Sequence, residues 1–279
     1  MSKRIVITGG SSGIGAATAE AFARTGARLF LAARGLDGLE AVAERCRAAG
    51  GEAHVFAADV TDTGQVAALA RAANETLGGI DLWFSDVGIG AVGKFGETPM
   101  AAHRQVIEAN LIGHMNDAHA VLPIFLAQRH GIFVNMISAG GFVATPFAAA
   151  YAASKFGLRG LSQALRGELS LHPRIHICDV YPTFVDTPGL DHAGNYTGKA
   201  LTTPPGTLAP ETVAAAVVRL ADHPRNTTVV GAPAPLFGLA QALVPNLSAA
   251  IINGFFATYF ARAATVPATD GALHQPGSP

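Results

Sequence analysis

The chain has 279 residues, of which only 14% are charged, and a formal net charge of −1. That length allows one large α/β domain or two smaller ones, each with a sizeable core. No basic run or acidic tail marks a nucleic acid or an anionic membrane as partner, which leaves small molecules.

In chain order, MSKRIVITGG passes from two basic residues into a short apolar run and then glycines, without the apolar core and cleavage site of a signal peptide, so a cytoplasmic chain is expected. RIVIT (4–8) reads as a buried strand, followed by RLFLAA (28–33), AHVFA (53–57), IDLWF (80–84), IFVNMIS (132–138) and IHICDVY (175–181), with TVVG (228–231) as a seventh. Near-continuous apolar runs separated by helical patterns predict α/β units and a parallel sheet with helices on both faces. Leu36, Leu39, Ala43 and Cys46 mark one helical stripe, and Thr98-Pro99 predicts a helix start whose helix runs to about Gln128. One domain is expected over 1–231, with a substrate loop at 183–209, an apolar extension over 232–265 and a disordered tail over 266–279. Cys46 and Cys178 show neither zinc spacing nor a disulfide framework, and Pro173 separates His172 from His176, so no metal site is expected.

After the first strand comes TGGSSGIGAATAEAFA, with Gly9, Gly13 and Gly15 opening a helix around Ser11, Ser12 and Ile14. Glycines admit a phosphate close to the backbone, and the helix N-terminus offers free N–H donors and positive potential, so this is a predicted dinucleotide cradle. The second strand ends on Ala33-Arg34, where an acidic residue would accept from ribose hydroxyls and favour NAD(H). Arginine suits a 2′-phosphate instead, which predicts NADP(H) in preference to NAD(H). Asp59, followed by Val60, either receives the adenine amino group or caps the next helix.

Tyr151 and Lys155 lie four residues apart in a small-residue helical run, and so share a face. Taken in order, TGGSSGIG, AADVTD, Asn110 in EANLIG, Ser138 and the Tyr151/Lys155 pair resemble the short-chain dehydrogenases/reductases, over about residues 4–231. The resemblance implies a one-domain, doubly wound Rossmann-type subunit, usually a homodimer or homotetramer. It implies Tyr151 as acid/base, Ser138 on the substrate oxygen, Lys155 on the nicotinamide ribose and Asn110 anchoring a proton-relaying water. Read from the residues alone, a mid-helix Asn110 could simply satisfy a backbone carbonyl. Bringing a tyrosine from pKa about 10 to about 7 needs roughly 4 kcal/mol, and one ammonium at about 4 Å supplies a similar amount at an effective dielectric of about 20, so Lys155 is expected to make phenolate accessible.

Two departures from the family pattern stand out. Ser85-Asp86-Val87-Gly88 replaces Asn-Asn-Ala-Gly and keeps only Gly88 beside the adenosine ribose, and in YPTFVDTP Thr183 replaces a glycine while Pro182, Val185 and Thr187 match the nicotinamide-contacting positions. An altered substrate loop beside an intact cofactor site is therefore expected. Matching positions for the substrate pocket are Gly140, Phe142, Val143, Phe147, Phe184, His192 and Tyr196, which implies a hydrophobic or aromatic ketone, aldehyde or alcohol; the alternative is that several of the phenylalanines are ordinary core. Residues 226–261 carry no Asp, Glu, Lys, Arg or His, and prolines and asparagines interrupt them, so cover over the substrate mouth or a subunit contact is expected rather than a membrane attachment. The rival functions are a membrane-associated steroid, retinoid or lipid dehydrogenase and a non-enzymatic nucleotide sensor on the same fold.

Overall fold

A computed structural model describes residues 2–203 and 206–274. β1 (Arg4–Thr8) leads into α1 (Gly13–Ala23), β2 (Arg28–Ala33) into α2 (Leu36–Ala48), and β3 (Glu52–Ala57) into α3 (Thr63–Leu77). β4 (Leu82–Ser85) is followed by the short β5 (Ala91–Val92), α4 (Met100–Ile107), a π-helical turn (Glu108–Ile112) and α5 (Gly113–Gln128). Next come β6 (Gly131–Met136), α6 (Ala149–Glu168), β7 (Ile175–Pro182), the short β8 (Gly194–Asn195), α7 (Pro210–Leu220), β9 (Thr227–Val230), α8 (Ala234–Leu243) and α9 (Pro245–Arg262). All seven expected strands are present, with β4 starting at Leu82 rather than Ile80.

These seven strands form one sheet in the order β3-β2-β1-β4-β6-β7-β9, parallel at every pairing. Alternate residues of each strand point to opposite faces. Ile5, Ile7, Leu29 and Leu31 thus pack with Ala19, Phe22, Leu39, Val42 and Val217 of α1, α2 and α7. Val6, Phe30, Trp83 and Phe133 pack with Val66, Leu69, Val121 and Phe125 of α3 and α5. Burial on both faces is why the strands read as continuous apolar runs. Strand order reverses between β1 and β4, and in such sheets the crevice beyond the carboxyl ends at the reversal is where a ligand fits.

Asp117 of α5 pins that reversal. Its Oδ2 accepts from Thr8 Oγ1 at 2.6 Å and Ser85 Oγ at 2.7 Å, and Thr8 and Ser85 are register partners on β1 and β4. Ser85, a departure from the family pattern, therefore serves the strand junction. The Trp83 indole favours the ionised carboxyl, yet neither Trp83 Nε1 nor Asp117 Oδ1 closes a hydrogen bond of good geometry. Burial dominates and pushes the Asp117 pKa up to about 6. A carboxyl that binds its proton more tightly folded than unfolded stabilises fully below the unfolded pKa and loses that contribution as pH rises through the folded one. Relative to Asp117→Asn, the wild type is expected to lose about 2.4 kcal/mol of unfolding free energy between pH 4 and pH 8. Parallel urea-unfolding stabilities for the two proteins across that range would refute this.

The helix expected from Thr98 to about Gln128 runs unbroken from Met100 to Gln128, with a π-helical turn joining α4 to α5. Pro99 precedes α4, while Thr98 Oγ1 donates to the Lys94 carbonyl at 3.1 Å and caps nothing. The π-helical turn falls where the Asn110 side chain leaves the helix to bond the backbone of Ile89. It ends at Gly113, where a Cβ would stand 2.6 Å from Val60 Cγ2. Such one-turn widenings let a side chain or a neighbour interrupt the regular ladder.

Candidate active site

The glycine turn lies at the crevice. Gly9 has φ +81°, and a Cβ there would lie 2.7 Å from the Asp86 carbonyl oxygen, while a Cβ on Gly15 would overlap the Gly9 carbonyl. Ser12 precedes α1 without capping it through its side chain, and the first turn holds no acidic residue. The helix thus presents its N–H groups and positive potential to the groove, which fits a dinucleotide pyrophosphate. The loop after β7 closes from the other side, with Thr187 Cγ2 3.3 Å from where a Gly13 Cβ would stand. Val185 bridges Leu208 beyond Pro182. Of the two roles weighed for Asp59, the helix cap falls to Asp62, whose Oδ1 accepts from Gly64 and Gln65 N–H. Asp59 Oδ1 instead holds Thr61 through its N–H and hydroxyl, with buried Val60 between them.

Tyr151 and Lys155 share a face of α6 as expected, with Lys155 Nζ 5.5 Å from the centre of the Tyr151 ring. Ser138 ends the strand region in a left-handed conformation, φ +111°, and its Oγ accepts from Gly140 N–H at 3.1 Å. A Cβ on Gly140 would lie 3.2 Å from Tyr151 Cε1 and 3.6 Å from Ser138 Oγ, so tyrosine and serine flank the same glycine. Backbone strain of this kind costs about 1–3 kcal/mol and persists where the surroundings fix it.

The expected lowering of the Tyr151 pKa is overturned. Burial raises it, opposed only by the Ser138 hydroxyl. Lys155 donates to the Met136 carbonyl at 3.0 Å, and burial lowers its own pKa to about 8 against the pull of Asp86. Desolvation pushes Asp86 well above the carboxylate range, opposed by Lys155 and by the Gly15 N–H. Asp86 and Tyr151 keep some exposed surface, yet packing around each polar tip is dense enough to disfavour charge.

The Asn110 side chain is committed: Oδ1 accepts from Ile89 N–H at 2.8 Å, and Nδ2 donates to Ile89 O at 2.9 Å and Ser154 Oγ at 3.3 Å. It fixes the segment beyond Gly88, where a Cβ would stand 3.8 Å from Lys155 Nζ. His114, missed in the sequence, joins it. One ring nitrogen lies 2.9 Å from Val87 O and the other 2.9 Å from Asn135 Oδ1, and burial lowers its pKa to about 4. His114, Asp117, Ala118, Val121 and Phe125 share one buried helical face, and two ionisable groups in that stripe were the available signal.

The substrate positions divide. Gly140 adjoins Tyr151, with the partly buried Val143 beyond it. Phe142 packs away from the site, 4.5 Å from the Tyr181 ring and against Ile137 and Leu158, so for this residue the core alternative holds. Phe147, φ +65°, meets Phe260 edge-on at 5.1 Å and Phe256 at 6.1 Å, while Phe184 is 59% exposed. The charge-free stretch thus lays part of α9 on the segment before Tyr151, although no residue of α9 is buried. Among the described residues no helix is long and apolar enough to cross a membrane, and no cluster of side chains could hold a metal ion.

The tail expected to be disordered folds as far as it is described; residues 275–279 lie outside the described ones. Thr265 and Thr269 form antiparallel bridges with Lys199 and Asn195 of the loop expected to cover the substrate. Ala272 N–H donates to His192 O at 2.9 Å, and Tyr196 Oη to Asp270 Oδ1 at 2.6 Å. Leu273 is fully buried with Ala91, Ala102, Val106 and Ala150, against Ile89, Tyr151 and Tyr196. His192 and Tyr196 therefore anchor the tail. Arg34 Nη2 donates to Ala272 O at 3.3 Å.

Residues 3–195 match the family model described as short chain dehydrogenase. The chain is 37% identical over 186 residues to the uncharacterized oxidoreductase Lin0452 of Listeria innocua, covering 66% of this chain and 75% of that protein. An alcohol dehydrogenase from the archaeon Thermococcus sibiricus, complexed with 5-hydroxy-NADP, superposes with a TM-score of 0.72 at 28% identity over 82% of this chain and 94% of that one. A short chain dehydrogenase/reductase from Burkholderia phymatum, in complex with NAD, does so with a TM-score of 0.74 at 27% identity over 82% and 89%. With its sheet reversal, glycine cradle and Ser138/Tyr151/Lys155 constellation, the chain belongs to the short-chain dehydrogenases/reductases and is an NAD(P)-dependent oxidoreductase.

Proposed function

We propose that the protein interconverts a hydrophobic or aromatic ketone or aldehyde and its alcohol, using NADP(H) in preference to NAD(H). The observation that carries this reading is the convergence of Tyr151 and Ser138 on Gly140, one helical turn from Lys155. Gly9, Ser11, Ser12, Gly13, Ile14 and Gly15 would hold the pyrophosphate, Arg34 the 2′-phosphate, and Pro182, Val185 and Thr187 the nicotinamide end. The cofactor supplies the hydride acceptor or donor. Ser138 Oγ orients the substrate oxygen and Tyr151 Oη gives or takes its proton. Lys155 keeps positive charge on the phenol's side, and Asn110 holds the Ile89 backbone that borders the site. Phe147, Phe256 and Phe260 favour an apolar substrate.

The reading extends to a cytoplasmic homodimer or homotetramer, supported by two buried, unpaired thiols that suit a reducing compartment. A second reading, a membrane-associated lipid or steroid dehydrogenase, is favoured by the exposed Leu236, Phe237, Leu243, Leu247, Ile251 and Phe255 of α8 and α9. The test is a panel of aliphatic and aromatic ketones against polyols, each with NADPH and NADH. Faster turnover of apolar ketones with NADPH is expected; activity on polyols alone, or faster turnover with NADH, would overturn the corresponding part. Co-sedimentation of the active protein with phosphatidylcholine/phosphatidylglycerol vesicles would favour the second reading.

A further inference from the structure

We propose that the C-terminal strap, residues 265–274, is a third wall of the cofactor cleft that closes over the bound dinucleotide from the side opposite the glycine turn. The proposal rests on the NAD(P) reading of that cleft. Its carriers are two consecutive residues: the Ala272 carbonyl takes a hydrogen bond from Arg34, at the carboxyl end of β2, and Leu273 is buried in the cluster against which Tyr151 packs. Neighbouring Cα atoms are about 3.8 Å apart. The strap therefore joins the element expected to hold the adenosine end of the cofactor to the one that holds the reacting end.

The contact is built rather than incidental. Gly271 has φ +55°, and a Cβ there would stand 2.5 Å from His192 O and 2.6 Å from Ala193 O, so two backbones meet where only glycine fits. Asn195 and Thr269 exchange both main-chain hydrogen bonds, at 2.8 and 2.9 Å, and Val266 N–H donates to Gly198 O at 3.1 Å. Tyr196 adds its bond to Asp270, and a Cβ on Gly194 would meet Leu273 Cδ1 at 2.8 Å. Strap and substrate loop are thus one antiparallel unit, and the far end of that loop carries Thr187 beside Gly13. A ligand on the glycine turn would lie under this unit, so its escape requires the unit to lift. The expected consequence is slow cofactor dissociation, the rate through which affinity is mostly tuned.

The test uses two full-length variants that dislodge the strap by different means. Gly271→Val places a side chain against the His192 and Ala193 carbonyls, and Leu273→Asp buries a charge unless the strap lifts. Calorimetric affinities and stopped-flow dissociation rates for NADPH and NADH would be measured on both variants and on the wild type, with circular dichroism confirming the fold. Both variants are expected to release both cofactors at least about tenfold faster than the wild type. Unchanged or tighter binding in either folded variant would overturn the strap as a wall. A wild type that binds neither cofactor overturns the oxidoreductase reading itself, a pattern distinct from the first. As a measurement independent of substitution, hydrogen exchange at the Thr269 and Ala272 amides of the wild type is expected to slow when NADPH is added; unaltered exchange would likewise overturn the proposal.

Discussion

Replacing Tyr151 with phenylalanine is expected to lower kcat by about a thousandfold or more, within the range by which positioned acid–base groups accelerate proton transfer, while the NADPH dissociation constant stays within about twofold. The phenol oxygen is the only part removed, and the packing of the ring against the cluster around Ala150 and Leu273 is kept. Because burial raises the Tyr151 pKa, the wild type should oxidise alcohols faster as pH rises through the neutral range, since oxidation requires a phenolate to accept the proton. Reduction requires the protonated phenol and should be nearly flat over the same range. Lys155, with its pKa lowered to about 8, loses positive charge as pH rises through that value and opposes the gain in phenolate at the alkaline end. Initial rates in both directions from pH 6 to pH 9 measure this. Turnover close to wild type in Tyr151→Phe would remove Tyr151 from the chemistry.

The buried sheet was legible because both its faces are covered, so each strand is apolar at every position regardless of which helix covers it. The order of Ser138, Tyr151 and Lys155 was legible for a different reason, the resemblance of its spacing to the family pattern, and in the structure Ser138 and Tyr151 flank Gly140. The energetics between them were not. The Coulomb estimate took an ammonium about 4 Å from the phenol oxygen, whereas Lys155 Nζ bonds the Met136 carbonyl and stands 5.5 Å from the centre of the Tyr151 ring, and burial raises the phenol's pKa. Asp117 and His114 escaped notice because their partners, Thr8, Ser85, Asn135 and Val87, are far away in sequence. The strap escaped for the same reason. TVPATDGAL looks like a tail because the N–H groups of Val266, Thr269 and Ala272 bond the backbone of residues 192–198, and a backbone partner leaves no mark on side-chain pattern. Gly271 was the one local sign, a glycine whose conformation and closeness to another backbone no other residue could reproduce.

Arg34→Ala is expected to raise the NADPH dissociation constant by about 10- to 100-fold, the equivalent of losing hydrogen bonds from a charged donor to a phosphate, and that for NADH by less. The two losses report different things. A guanidinium on a 2′-phosphate contributes only to NADPH, whereas the hydrogen bond from Arg34 to the Ala272 carbonyl holds the strap whichever cofactor is bound. The NADH loss therefore measures what Arg34 contributes with either cofactor, its bond to the strap included, and the excess for NADPH measures the phosphate. Arg34→Asp should widen the gap, since a carboxylate repels the phosphate while accepting hydrogen bonds from the ribose hydroxyls that NADH retains. Combining Arg34→Ala with Gly271→Val separates the contributions: if Arg34 acts on NADH only through the strap, the double variant releases NADH no faster than Gly271→Val alone. Equal losses for NADPH and NADH in Arg34→Ala would mean that Arg34 secures the strap and does not select the cofactor.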